Sequence, residues 1–187
     1  MAHNSANKVV IDSKIFEKIA GGDDMAFEEL YRLTYRPLYA FLLSLTLNHD
    51  DTDDLLQDTY IRIRGAAHLY KETGNPMAWI MTIAKNLFLM KLRKEKKEAI
   101  EYVDEYAVTG HLSFNMISNV DNRIMIEQLF RHIDTEDRNI IIMHVIIGLK
   151  HKEIANILNQ PVATVLTKYH RAMKKLKKYA ENEKEGA

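Results

Sequence analysis

The chain has 187 residues, and its 26 lysines and arginines balance 26 aspartates and glutamates. It has no cysteine, which excludes a disulfide scaffold, a cysteine-ligated zinc site and a thiol nucleophile. A hydrophobic content of 47% is typical of a globular protein, and the length suits one ordinary domain or two small ones. The apolar stretches are far shorter than the roughly 20 residues that span a bilayer, and the N-terminus lacks a cationic-then-apolar signal pattern. We therefore expect a cytoplasmic protein with no direct membrane insertion.

The balanced net charge hides separate acidic and basic blocks. Residues 48–58 contain five aspartates and no lysine or arginine. Residues 85–97 contain six lysines and arginines against one glutamate, and residues 168–178 contain six with no acid. Each block taken alone is as well explained by a solvated helix face, but together they indicate separate surfaces for separate partners, some of them polyanionic.

Few glycines and prolines, with many leucines, alanines, glutamates and lysines, favour an all-α fold. The first long helix is predicted from Asp24 to Leu47, with Pro37 inside it. Asp50 or Asp51 is the expected N-cap of a second helix that runs to about Arg64. The apolar stripe predicted for the first helix is Phe27, Leu30, Tyr31, Leu38, Phe41, Leu42 and Leu45. The stripe predicted for the second is Leu55, Leu56, Thr59, Tyr60 and Ile63, which turns Asp53, Asp54, Gln57, Asp58 and Arg62 toward solvent.

Residues 65–76 are predicted to form a loop, because Gly74-Asn75-Pro76 is a strong helix break. A third helix should follow over 76–97. Residues 98–119 show no sustained helical period and are predicted to form a flexible linker between two domains.

The second half is again predicted to be helical. One amphipathic helix should run over 120–133, and a second should be capped by residues 134–137 and stop at Gly148. The last two helices, over 150–158 and 161–180, have the spacing of a helix-turn-helix. Ala155 is small where they should cross, Asn159 tolerates the positive φ that the turn needs, and Ile154, Leu158 and Val165 supply a small core. The second helix is basic, as expected of a helix that enters the major groove of DNA.

Three motifs of the C-terminal half are Gly148–Ala155, Pro161–Val165 and His170–Ala172. They resemble the promoter-reading domain of the extracytoplasmic-function (ECF) class of bacterial sigma factors. In the N-terminal half, Ala26–Tyr31 is similar to the opening helix of that class and Asp51–Tyr60 to its core-polymerase-binding helix. Trp79–Asn86 with Leu92–Lys94 resembles its minus-ten-reading helix. The motifs occur in the family's order.

The resemblance implies two all-α domains joined by a linker. Residues 1–97 would form a domain that binds core polymerase and reads the minus-ten element, and residues 98–119 would form the linker. Residues 120–187 would form a helix-turn-helix domain that reads the minus-thirty-five element. The resemblance also implies core-polymerase contacts by Asp54, Gln57 and Asp58. The implied contacts to the minus-ten element are Asn75, Lys85, Asn86, Arg93 and Lys94. Those to the minus-thirty-five element are Thr164, Leu166, Thr167, Lys168, His170, Arg171 and Lys174. Trp79 is expected either to support DNA melting or, more ordinarily, to pack in the core.

The last helix, which the resemblance implies reads the minus-thirty-five element and which we call the reading helix, departs from the family pattern. Leu166, Thr167 and Lys168 stand where the family usually has a basic residue, serine and arginine, and Ala163 replaces a common glycine. An apolar leucine can contact a thymine methyl but cannot donate a hydrogen bond to guanine.

The function expected is therefore that of a transcription initiation factor with core RNA polymerase, promoter DNA and an anti-sigma factor as partners. We expect no cofactor, no bound metal, no small-molecule substrate and no enzymatic activity. A stand-alone helix-turn-helix regulator would leave the N-terminal motifs without a role, and a helical scaffold would leave all of them without one. A metal-dependent nuclease is disfavoured because the aspartates of 50–54 lack the glycine and distal glutamate of a calcium loop.

Overall fold

The computed structural model describes residues 9–72, 74–101 and 133–185. The described residues divide into two units, 9–101 and 133–185. Both are helical, and no strand occurs among the described residues, as the composition predicts. The predicted linker beyond residue 101 and residues 120–132 of the helix predicted over 120–133 lie outside the described residues.

The first unit contains four α-helices. Helix α1 (Ile15–Ala20) buries Phe16 and Ile19, and α2 spans Asp24–Thr46, within one residue of the prediction. The Asp23 carboxylate caps α2 by accepting hydrogen bonds from the amides of Met25 and Ala26, at 2.9 and 3.0 Å. Leu30, Leu38, Phe41 and Leu42 of the predicted stripe are fully buried.

Three members of the predicted stripe of α2 do not join the core. Phe27 and Leu45 are half-buried, and Tyr31 is 41% exposed. Phe27 and Tyr31 lie one turn apart on the edge of the stripe, where the neighbouring helix leaves a groove. Ala26, Thr34 and Pro37 take buried positions instead.

Helix α3 spans His49–Ala66, and its N-cap is Asn48 rather than Asp50 or Asp51. The Asn48 side chain accepts a hydrogen bond from the Asp51 amide at 3.1 Å, so both candidate aspartates lie in the first turn, where they complement the helix dipole. The predicted stripe of α3 is buried throughout. Gly65 was predicted to be in a loop, but the helix continues through it and is followed by a short 3-10 turn, Ala67–Leu69.

Helix α4 spans Pro76–Glu101, four residues longer than predicted. It packs against α2 and α3 through fully buried Met77, Ile80, Met81 and Ala84. Trp79 is half-buried and lies edge-on to Phe16 and Tyr70, with ring centroids 5.1 and 5.4 Å away. The tryptophan therefore joins α1, α4 and the connection between α3 and α4, which supports the packing role.

The second unit begins at Ile133 among the described residues. Helix α5 (Thr135–Ile141) has Asp134 at its N-cap position, but the Asp134 side chain makes no capping bond and accepts from Lys175 instead, at 3.3 Å. The predicted α-helix does not continue to Ile147, because residues Ile142–Ile146 form a π-helical turn. Gly148, with a φ of 80°, ends the segment as predicted.

The last two helices are α6 (His151–Leu158) and α7 (Val162–Glu185). The turn between them places Asn159 at a φ of 53°, which confirms the prediction of a left-handed residue there. The amide of Gln160 donates to the Ala155 carbonyl at 3.0 Å and closes the end of α6. Ile154, Ala155 and Val165 are buried as predicted, whereas Leu158 is half-buried and Ile157 replaces it in the core. Among the described residues, no helix combines the length and apolarity needed to cross a membrane.

Candidate functional site

The acidic surface of the first unit is a direct result of helical periodicity in α3. Gln57 and Asp58 follow Asp54 by three and four residues, and all three are exposed. The buried stripe of α3 occupies its opposite side, so the fold holds these side chains on a rigid element while leaving them free of the core.

A groove of about 430 Å³ lies beside this acidic surface, between α2 and α3. Tyr31 is 41% exposed, Ile61 is 64% exposed, and the rings of Tyr31 and Tyr60 are 4.7 Å apart. Gln57 lines the groove and therefore belongs to both surfaces. The residues that line it are Phe27, Tyr31, Tyr35, Asp53, Leu56, Gln57, Tyr60, Ile61 and Arg64. Sequence reasoning missed this groove, although the four-residue spacing of Phe27, Tyr31 and Tyr35 was visible.

The floor of the groove is fixed by a buried hydrogen bond between its two helices. Thr34 Oγ1 donates its proton to the Leu30 carbonyl at 2.7 Å. Because that proton is used, Thr34 Oγ1 accepts the hydrogen bond from the Tyr60 hydroxyl, at 2.9 Å. Burial raises the pKa of Tyr60 well above its usual range, so the hydroxyl remains a donor at neutral pH. This bond holds the ring of Tyr60 against α2.

The predicted minus-ten residues occupy α4 and the loop before it. Asn75 is half-buried, and its side-chain oxygen accepts from the Met77 amide at 3.0 Å, which caps the start of α4. The Tyr70 hydroxyl donates to the Gly74 carbonyl at 2.8 Å and ties the loop to the aromatic cluster of Phe16, Tyr70 and Trp79.

Farther along α4, Asn86 and Arg93 are exposed and seven residues apart, so they lie on one face about 10 Å from each other along the axis. Lys94 is also exposed next to Arg93, and Lys85 is half-buried. Burial lowers the pKa of Lys85. Asn86 and Arg93 therefore place a hydrogen-bonding group and a cationic group on one side of α4, whereas Lys85 and Lys94 lie on opposite sides of the helix.

The basic residues of α7 are not equally available. The Arg171 guanidinium donates two hydrogen bonds to the carboxylate of Asp137, at 2.7 and 3.0 Å, and Asp137 is fully buried in α5. Lys168 pairs with Glu136 of α5 and donates to the side-chain oxygen of Gln160 at 3.1 Å. Both cations therefore brace α7 against neighbouring structure.

The other predicted residues of α7 lie toward solvent or at its margin. Leu166, Thr167, His170 and Lys174 are exposed, and Thr164 is half-buried. The Thr167 hydroxyl donates to the Ala163 carbonyl at 2.9 Å, one turn back along the helix.

A cluster of rings beneath α7 was not predicted. The rings of His144 and His151 are 4.1 Å apart, and Tyr169 lies edge-on to both, at 4.9 and 5.0 Å. His144 Nδ1 donates to the Leu149 carbonyl at 2.8 Å. Burial lowers the pKa of His151, and the neighbouring His144 and His170 lower it further. Within the described ranges, no three histidine, aspartate or glutamate side chains form a group that could hold a metal ion.

Comparisons with known proteins identify the family of both units. Residues 30–98 match the family model of Sigma-70 region 2, and residues 123–176 match that of Sigma-70 region 4. The chain is 27% identical over 157 residues to the ECF RNA polymerase sigma factor SigM of Bacillus subtilis, covering 82% of this chain and 94% of SigM. It is 29% identical over 147 residues to EcfG of Rhodopseudomonas palustris, covering 74% of this chain and 76% of EcfG.

A solved structure shares the fold. The sigma factor RpoE of Bartonella quintana, determined in complex with the anti-sigma factor NepR, aligns with a TM-score of 0.67 at 23% identity, over 83% of this chain and 96% of RpoE. With both family models matched, the chain is a promoter-directing factor of the sigma-70 type. The chain belongs to the ECF sigma factors, which are transcription initiation factors that bind core RNA polymerase and direct it to promoter DNA.

Proposed function

We propose that Asp54, Gln57 and Asp58 on α3, together with the adjoining groove, form the surface that binds core RNA polymerase. The observation that carries this proposal is the exposed Gln57, which belongs to both the acidic face and the aromatic groove. Carboxylates of such a face pair well with arginine, because bidentate bonds give orientation as well as energy. Exposed aromatic and aliphatic side chains beside them supply the apolar anchor that protein interfaces concentrate near their centre.

We further propose that the loop ending at Asn75 and the exposed face of α4 capture the minus-ten element. Single-stranded bases are held in pockets and by stacking, and their phosphates by cations. The loop is tied to a rigid aromatic cluster, while Lys85, Asn86, Arg93 and Lys94 follow it along one helix. This order suits a single DNA strand that leaves the loop and runs along α4.

The helix-turn-helix of the second unit is assigned to the minus-thirty-five element. Thr164, Leu166, Thr167 and His170 are the candidates for contact with base edges, and Lys174 for phosphate. We assign Lys168 and Arg171 a positioning role, because both are paired with carboxylates of α5 that hold the reading helix in place. Their replacement should weaken promoter binding by loosening α7.

The chain itself performs no catalytic step in this proposal, since nucleotide transfer belongs to the polymerase. It takes no small-molecule substrate, and it acts in the cytoplasm together with the polymerase. An anti-sigma factor is the expected regulator, by analogy with the complex in which RpoE was solved. Such a partner would act by covering the polymerase-binding surface or the DNA-binding surfaces.

Core-dependent transcription tests the polymerase surface. The purified chain is mixed with core polymerase from the same organism on a pool of genomic promoter fragments. Initiation at a defined set of start sites is expected, and it should fall at least tenfold in an Asp54→Ala/Gln57→Ala variant. Glu17→Ala is the matched control, because it removes an exposed carboxylate on α1. Equal loss in the control, or full activity of the double variant, would refute the surface assignment.

A further inference from the structure

Two cations of the reading helix α7 form ion pairs within the second unit, although the Arg171 side chain stays 51% exposed. Arg171 is held by the fully buried Asp137, and Lys168 is held by Glu136 and Gln160. Arginine and lysine are the side chains that ordinarily recognise guanine in the major groove, through its O6 and N7 acceptors. On α7 these two are committed to contacts within the unit, which reduces the helix's capacity to select guanine.

Apolar side chains are exposed at the start of the same helix. Val162 is 40% exposed and Leu166 is 36% exposed. They lie one helical turn apart, so they share a face and are about 6 Å from each other along the axis. Ala163, which is also exposed, lies beside them. The first two turns of the reading helix therefore present a small apolar stripe to solvent.

The charge around this stripe indicates what covers it. Lys174 and Lys178 are exposed farther along α7, and residues 168–178 contain no acidic residue. A basic helix that carries an apolar stripe near its N-terminus matches the major groove of duplex DNA, where phosphates flank the base edges. The 5-methyl group of thymine is the apolar feature of that groove.

We infer that Val162 and Leu166 read thymine methyl groups in the minus-thirty-five element, and that they set its sequence preference. This inference rests on the proposed role of the second unit. Burial of one methyl group against an apolar side chain is worth about fourfold in affinity. Two such contacts would select a thymine-containing element over the same element lacking the methyl groups by about fifteenfold.

Replacement of thymine by deoxyuridine isolates this effect, since the two bases differ only in the 5-methyl group. Holoenzyme reconstituted from the full chain first selects its preferred upstream sequence from promoters randomised in that element. Each selected thymine is then replaced by deoxyuridine, and open-complex formation is measured at limiting holoenzyme. We expect about a fourfold loss at one or two positions for the unmodified chain.

The Leu166→Ala variant should initiate more weakly on the thymine promoter and lose its sensitivity to deoxyuridine at one position. Val162→Ala should lose it at another. Met173→Ala is the matched control, because Met173 is a 38% exposed residue of the same helix two turns beyond Leu166, and its variant should keep the full sensitivity.

Two failures can be told apart. If the unmodified holoenzyme initiates but responds equally to thymine and deoxyuridine, or if selection yields guanine at these positions, methyl readout is wrong and the sigma assignment stands. If no promoter in the pool is initiated, the proposed function itself fails, and this inference fails with it.

Discussion

The hydrogen bond between Thr34 and Tyr60 fixes the groove beside the acidic surface and yields a quantitative prediction. Tyr60→Phe removes one buried bond while keeping the ring, so it should lower the free energy of unfolding by about 1 kcal/mol. Thr34→Val keeps the shape of the side chain but leaves the Tyr60 hydroxyl without its acceptor. The remaining neighbour is the Tyr31 carbonyl at 3.5 Å, which is long for a hydroxyl bond. We expect a loss of about 2 kcal/mol.

The double variant distinguishes this reasoning from simple loss of packing. With both polar groups removed, no donor remains unpaired, so Thr34→Val/Tyr60→Phe should be more stable than Thr34→Val alone. The two effects are then non-additive by about 1–2 kcal/mol. Thr59→Val is the control, because the buried Thr59 hydroxyl donates only within α3, to the Leu55 carbonyl at 2.6 Å. It should cost less than Thr34→Val.

Urea unfolding of the full chain, followed by tryptophan fluorescence, measures these values for the first unit. A loss of 1 kcal/mol moves the midpoint by about 0.3–1 M urea. Strictly additive effects, or a Thr34→Val variant no less stable than Tyr60→Phe, would refute the assigned direction of the bond. Because the bond holds Tyr60 in the groove, the same variants should also weaken core-polymerase binding. The variant that disturbs the groove more should weaken that binding more.

Three further predictions concern single positions. Asn159→Ala should destabilise the second unit by about 1 kcal/mol, while Asn159→Gly should be nearly neutral, because φ is 53° there; circular dichroism melts compare them. Asn48→Ala removes the cap of α3 and should cost the first unit about 1 kcal/mol in urea unfolding. The pKa of His151 is lowered by burial and by His144 and His170, so the unfolded chain takes up a proton before the folded one. The second unit should therefore lose stability as pH falls below about 6.5, and His151→Gln should reduce that loss; pH-independent melts of the unmodified chain would contradict it.

Features set by local pattern were predictable from the sequence. The buried stripe of α3 follows from helical period, and the left-handed Asn159 follows from the spacing of the turn. In both cases the signal lies within a dozen residues, so no knowledge of distant packing is needed.

Features set by distant partners were not predictable. The ion pairs of Lys168 and Arg171 are one example, because their partners Glu136 and Asp137 lie 32 and 34 residues earlier in the chain. The groove depends on how α2 and α3 cross, and periodicity cannot specify that crossing. The cap of α3 was misassigned for a different reason, since Asn48 and the aspartates after it all have capping side chains and only the backbone selects among them.

The position of Trp79 makes the first unit separately observable. It is the only tryptophan in the chain, and its ring contacts Tyr70, whose hydroxyl holds the loop that precedes α4. Its emission therefore reports on the first unit without any contribution from the second. A shift in its wavelength or intensity when single-stranded promoter DNA is added would follow base capture in real time, with no dye or engineered label.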